Sequence, residues 1–240
     1  LNNVGVVSLK NQLLDTDVDN WIRMISTNRL TGHSSGFFSG YTLPPNQAAS
    51  QKSQKVINER LRITPPYKNT KEIILKKSKS LQRNLNPKIF EQLEIIGQTA
   101  IFSDEDSRET SHISDSSINL TVTSPPFLNI VRYADDNWLR CWFNDIDVSE
   151  VEKKLSLCRD IGTWSDMMGT VFDELHRITI PGGWVAFEVG EVNNGKVKLD
   201  EYVVPLGIES GFICAGVMVN SQDFTTVSYT HLTLPTILLV

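Results

Sequence analysis

The chain has little of what redox or metal chemistry is built from. Its 240 residues include three cysteines, Cys141, Cys158 and Cys214, widely spaced and without a CxxC pair, and four scattered histidines. An odd, dispersed set of thiols points to reduced cysteines in a cytoplasmic protein and excludes a disulfide or zinc framework. Signal-peptide patterning and apolar runs of membrane-spanning length are both lacking, which argues against insertion in a bilayer. The glycine-rich stretch Thr31–Tyr41 has neither G-x-G-x-x-G nor G-x-x-x-x-G-K spacing, and no strand pattern precedes it. It therefore reads as a plain or DNA-facing loop, with His33 a polar loop residue, and not as a phosphate cradle.

What is present suits a folded α/β protein. A hydrophobic content of 40% is ordinary, and the length allows one sizeable domain or one and a half smaller ones. The net charge of −5 hides a strong asymmetry. Between Gln51 and Lys88 eleven Lys/Arg face only Glu59 and Glu72, a segment charge of +9 that leaves −14 for the rest. Such a segment is either a solvated helical face or a surface that tracks phosphates, with Lys76, Lys77, Lys79 and Arg83 its densest part.

Helical spacing dominates the first hundred residues. Asp19 or Asn20 can cap a helix that begins near Trp21. Further helices are expected over about 47–61, 70–85 and 88–96, the last ended by Gly97. Thr64-Pro65-Pro66-Tyr67 follows charged, non-alternating residues and reads as a helix-ending turn. Beyond Gly97 the period changes. Thr99-Ala100-Ile101-Phe102 reads as a short strand leading into the acidic Ser103–Asp106.

The organising stretch is Ser117–Phe127. Ile118, Leu120 and Val122 alternate with Asn119, Thr121 and Thr123, the pattern of a β-strand. It runs into Pro125-Pro126, which fix φ, lack N–H groups and hold Ser124 extended. The strand thus ends in a stiff loop that presents a hydroxyl and then the Phe127 ring. Ligands of open α/β sheets bind beyond such carboxyl ends. Downstream, Trp138 and Trp142 lie four apart on one helical face and read mostly as core, as do Met168, Val171, Phe172 and Leu175 on a helix over 164–178. Pro181-Gly182-Gly183 then makes a turn into the strand Trp184–Val189, the helix–turn–strand order of a parallel sheet. A helix over 196–210, interrupted or ended by Pro205 and Gly207, and a strand over 212–219 follow. Residues 226–240 complete no earlier pattern and read as a foreign tail.

Thr123-Ser124-Pro125-Pro126-Phe127 resembles the catalytic motif of amino-group DNA methyltransferases, (Asp/Asn/Ser)-Pro-Pro-(Tyr/Phe/Trp). Asp106-Ser107-Arg108 with Asp115–Leu120 resembles that family's run into the motif. Leu175-His176-Arg177…Pro181-Gly182-Gly183 resembles the fifth-strand entry of Rossmann-like methyltransferases. The resemblance implies a partial Rossmann-like (class I) sheet in a three-layer αβα fold. It also implies a mostly helical, DNA-contacting insertion over 1–97, a catalytic half over 98–225 and a C-terminal antiparallel hairpin begun by the strand over 212–219. Ser124, Pro125, Pro126 and Phe127 would be catalytic, and Asp106 would contact the adenine side of S-adenosylmethionine, although Glu105 replaces the usual glycine. Asn129, Arg132 and Tyr133 would border the substrate base. The implied partners are DNA and a cognate restriction endonuclease. A serine at the motif's first position favours N4 of cytosine over N6 of adenine.

That family also carries a Gly-rich cofactor loop after its first strand, and none occurs in this chain, so the sequence reads as a fragment whose first strands would precede Leu1; a permuted order with the loop downstream is the alternative, for which the final strands leave little room. Two other readings stand beside it: a methyltransferase acting on RNA or a small molecule, and an inert DNA-binding remnant.

Overall fold

The computed structural model describes residues 16–32, 34–39, 50–62, 66–125, 133–155, 158, 160–192, 197–222 and 232–239. They divide into two units, 1–101 with 132–155, and 102–131 with 156–240. The first unit takes in 132–155, a stretch that the expected division assigns to the catalytic half.

The first unit is helical: α1 (Asp17–Arg29), α2 (Gln51–Arg60), α3 (Thr70–Gln82), α4 (Pro87–Thr99), α5 (Tyr133–Phe143) and α6 (Val148–Lys154). Side chains that compete for backbone N–H groups set the helix starts. Thr16, one turn earlier than expected, caps α1 in a capping box with Asp19, and Asn69, Asn86 and Asp147 cap α3, α4 and α6. Pro87 opens α4, where its missing N–H costs nothing. This helix runs through Gly97 to Thr99, so the expected strand at 99–102 does not form; Ile101 and Phe102 are 75% and 96% exposed. They have no paired strand to lie against, and a lone extended segment is not stable. Inside the unit, Ile25, Ser26 and Leu30 of α1 and its end are buried, and Trp21 Nε1 donates to Ser78 Oγ of α3 at 3.0 Å.

The second unit holds β1 (Ile118–Thr123), α7 (Ile161–Ile178), β2 (Thr179–Glu188), the short pair β3 (Glu191–Val192) and β4 (Val197–Lys198), α8 (Asp200–Glu209), β5 (Cys214–Gln222) and β6 (Leu232–Leu239). α7 starts at Asp160, whose side chain accepts from the Thr163 N–H at 2.8 Å. Its apolar residues recur every three or four positions, and Trp164, Met168, Val171, Phe172, Leu175 and Ile178 are all buried. They meet Val185, Phe187 and Val189 of β2 and its end, Leu199 and Val203 at α8, and Phe212. The Phe172 and Phe187 ring centroids are 4.7 Å apart. α8 continues through Pro205, which is exposed, instead of ending there.

The sheet order is β1-β2-β6-β5, with β1 parallel to β2 and the remaining pairings antiparallel. This mixed α/β arrangement is a partial Rossmann-like sheet. Among the described residues one helical layer, α7 with α8, packs on it. The opposite face carries Leu120, Val122 and Trp184, which are 58%, 74% and 43% exposed, so two of the three expected layers are described. The antiparallel hairpin expected from β5 is present. Its second strand is β6, drawn from the stretch that the sequence reading set outside the fold.

Pro181-Gly182-Gly183 does not turn the chain between elements. It lies within β2, where Ile118 pairs with Thr179 and Leu120 with Trp184, so the extra residues bulge out. Gly182 has φ +78°, and a Cβ on Gly183 would come within 2.7 Å of Thr179 Cγ2 and 3.1 Å of the Ile118 carbonyl oxygen. Glycines are needed at both positions for these reasons.

Candidate functional site

Strand β1 delivers its last residues to the carboxyl end of the parallel pair. Thr123 is in register with Phe187, so Ser124 leaves β1 at the level where β2 ends in Glu188. Ser124 is exposed, Pro125 is half-buried, and Val189 and Gly190 are buried. The alternation that the sequence displays is therefore used, with one difference. Thr121 and Thr123 are opposite the α7-facing Val185 and Phe187, and the apolar Leu120 and Val122 take the bare face. Pro126, Phe127, Asn129 and Arg132 lie outside the described residues, as does the side chain of Tyr133, the first residue of α5. Glu188 was passed over in the sequence as one more strand residue. Only the β1–β2 register reveals that it reaches the same rim as Ser124.

The opposite, amino-terminal end of the same strand pair is fixed by an ionic clamp. Arg177 Nε donates to Glu174 at 2.8 Å, and the guanidinium also reaches Asp115 and the carbonyl oxygens of Ile113 (3.0 Å) and Thr110 (3.2 Å). Glu174 in turn accepts from the Thr110 N–H and hydroxyl at 2.6 Å. The Arg177 hydrogen bond, with those from Thr110, holds the Glu174 carboxyl down at about 2 and raises the guanidinium pKa further above its ordinary range. The Leu175-His176-Arg177 string is thus structural here. His176 packs edge-on against Phe212 with centroids 5.3 Å apart, and Gly211, at φ +104°, passes close beneath the imidazole.

Asp106 sits in a coil and not at the end of a strand. Both its carboxylate oxygens are engaged by Arg108: the backbone N–H and Nε reach one oxygen at 2.9 Å, and Nε reaches the other at 3.1 Å. The Arg108 side chain thereby lowers the Asp106 pKa to about 2. The Asp106 side chain is still about half exposed, so part of its acceptor capacity faces solvent.

The basic residues lie on α3 and its end, in the other unit. Lys76, Lys79 and Arg83 are exposed and Lys77 is half-buried, and none of the large residues of α3 is buried. Trp138 and Trp142 do share a face of α5, but they are not core: Trp142 is 57% exposed, and both line an open cleft with Ile146 and Val148. No cluster of three metal-ligating side chains occurs among the described residues, and no described helix is long and apolar enough to cross a membrane.

No family model matches the chain, and no curated protein matches it. Partial likeness exists to solved structures of TTHA0409, a candidate DNA modification methylase of Thermus thermophilus. A selenomethionine form is 19% identical over 56% of this chain and 49% of that one, with a TM-score of 0.36. The form complexed with S-adenosyl-L-methionine is 16% identical over 56% and 52%, at 0.35. A third is 17% identical over 55% and 51%, at 0.34. This chain spans about half the length of these structures.

Proposed function

We propose that the protein carrying this chain transfers a methyl group from S-adenosylmethionine to an exocyclic amino group of a DNA base, with N4 of cytosine preferred to N6 of adenine. One observation carries the reading: Ser124-Pro125 follows directly on β1 at the carboxyl end of a parallel strand pair, the position at which α/β sheets bind ligands. The sequence motif Ser124–Phe127 supports the reaction type, and the strand order β1-β2-β6-β5 supports a methyltransferase sheet.

An exocyclic amine on cytosine or adenine is a poor nucleophile because its lone pair is delocalised into the ring. The Ser124 Oγ and the Pro125 carbonyl oxygen are two acceptors for its two hydrogens. Holding both favours a tetrahedral nitrogen with its lone pair free. Two prolines stiffen the loop, so these dipoles need no rearrangement as charge develops. The amine's lone pair would attack the donor's methyl carbon in line as the sulfur–methyl bond breaks, releasing S-adenosylhomocysteine, with the surplus N–H proton lost to solvent; holding the amine in line is a proximity effect. Phe127 would stack on the base, which must leave the duplex to reach such a rim.

The test is methyl transfer from labelled S-adenosylmethionine to duplex DNA by the full-length protein, wild type against Ser124→Ala. Incorporation that falls by on the order of 10²–10³-fold in the variant while the fold persists supports the proposal. Undiminished incorporation by Ser124→Ala refutes it. A comparison arm with RNA identifies the other substrate class.

A further inference from the structure

Two stretches that the sequence reading puts aside, the glycine-rich loop and the Pro66-Tyr67 turn, line one cleft of about 630 Å3 in the helical unit. The loop folds back on the end of α1: Phe38 N–H donates to the Arg29 carbonyl at 2.8 Å, and Phe37 N–H to the Ser34 carbonyl at 3.1 Å. Gly32 allows this, because a Cβ there would lie 2.5 Å from the Phe37 ring. The ring in turn carries the Arg29 guanidinium, 4.3 Å from its centroid. Arg29 Nε is buried and has no hydrogen-bond partner among the described residues.

Across the cleft from this loop the lining is basic and aromatic. Lys68, Lys76 and Lys77 contribute ammonium groups, and no ion pair among the described residues holds them. Tyr67 is 89% exposed, an unusual state for a tyrosine in a chain with ordinary hydrophobic content. The carboxylate that also lines the cleft, Glu72, accepts from the Asn69 side-chain amide at 2.8 Å as part of the cap of α3.

We propose that this cleft binds an unpaired nucleotide of single-stranded DNA, with Tyr67 stacked on the base and Lys68, Lys76, Lys77 and Arg29 on the flanking phosphates. A free aromatic face among lysines is the arrangement that binds single strands, since every base offers a π-face and the backbone offers charge. A base kept inside a duplex cannot use the Tyr67 face, so duplex DNA would gain only the phosphate contacts. The cavity is of the size that accommodates a small ligand unit. The choice of nucleic acid as partner rests on the function proposed above, whereas the cleft is lined by residues of the helical unit alone.

The experiment is fluorescence anisotropy of a labelled single strand of about 12 nucleotides with the full-length protein, without S-adenosylmethionine and at several salt concentrations. Tyr67→Ala should weaken binding roughly 5- to 150-fold with little change in salt slope, and Tyr67→Phe should restore it. Lys76→Gln should reduce the salt slope by about 0.7, the value for one lost phosphate contact on a single strand. Each variant is first checked for an unchanged melting temperature; Tyr67→Gln, which also lacks an aromatic face, is the replacement if Tyr67→Ala fails that check. Unchanged affinity in the tyrosine variant, or an equal loss on single-stranded and duplex DNA, overturns the proposal. Because binding is read without the donor, a failure here is distinguishable from a failure of methyl transfer, which Ser124→Ala reports.

Discussion

The chain contains the string Xaa-Pro-Pro-aromatic twice, and the two copies meet opposite surroundings. Ser124-Pro125 follows a strand that is hydrogen-bonded to β2, and that strand is backed by the Phe172–Phe187 core. Pro66-Tyr67 precedes α3, on helices that bury almost nothing. A turn on a packed sheet has its acceptors held in place, which suits chemistry that depends on preorganised dipoles. A turn between solvated helices leaves its ring free, which suits stacking on a mobile polymer. The difference lies in what precedes the prolines and not in the prolines themselves.

That contrast can be broken most forcefully at its scaffold. Phe172→Ala empties the centre of the sheet unit and should cost about 3–5 kcal/mol, whereas Phe90→Ala on the exposed α4 should stay within about 0.5 kcal/mol. Urea denaturation of both variants measures this; equal losses would remove the distinction between the units. The next largest effect is on catalysis. Ser124→Ala should lower methyl transfer by on the order of 10²–10³-fold, as loss of one preorganised hydrogen-bonding group does, while single-strand binding is retained. Tyr67→Ala should show the reverse pattern, with binding weakened and the transfer step intact in single-turnover measurements. If one variant impaired both readouts, the two turns would not act independently.

The smallest effect concerns pH. Glu174 titrates lower in the folded state, at about 2, than its ordinary 4.5. Its contribution to stability is therefore complete above pH 4.5 and is lost as pH falls towards 2. Glu174→Gln should lower stability at neutral pH and flatten its acid dependence in that window, read by thermal melts across pH. An unchanged acid limb would mean that the clamp at the start of β1 contributes nothing.

Periodicity made the helices legible but not their partners. α7 and α4 both show apolar residues at helical spacing, yet α7 buries six of its side chains and α4 buries none. Spacing encodes a face, and only the tertiary pairing decides whether anything covers it. The same limit explains Trp138 and Trp142, which share a face as expected but line a cleft. It also explains 99–102, where apolar composition suggested a strand that had no neighbour to bond with. Ser124 at the end of β1 was legible because alternation and proline are local signals. Glu188 was not, because its place depends on a register between strands sixty residues apart in the chain, offset by a glycine bulge. The β6 strand was missed for a similar reason: its only pattern is its pairing with β2 and β5. Asp106 was legible as a motif residue, whereas its pairing with Arg108 two residues on was not.

The most direct test of the central claim is nucleoside mass spectrometry of duplex DNA incubated with the full-length protein and S-adenosylmethionine. N4-methylcytosine is expected with the wild type, and on the order of 10²–10³-fold less of it with Ser124→Ala. DNA without any methylated exocyclic amine, or equal methylation by the variant, would contradict it.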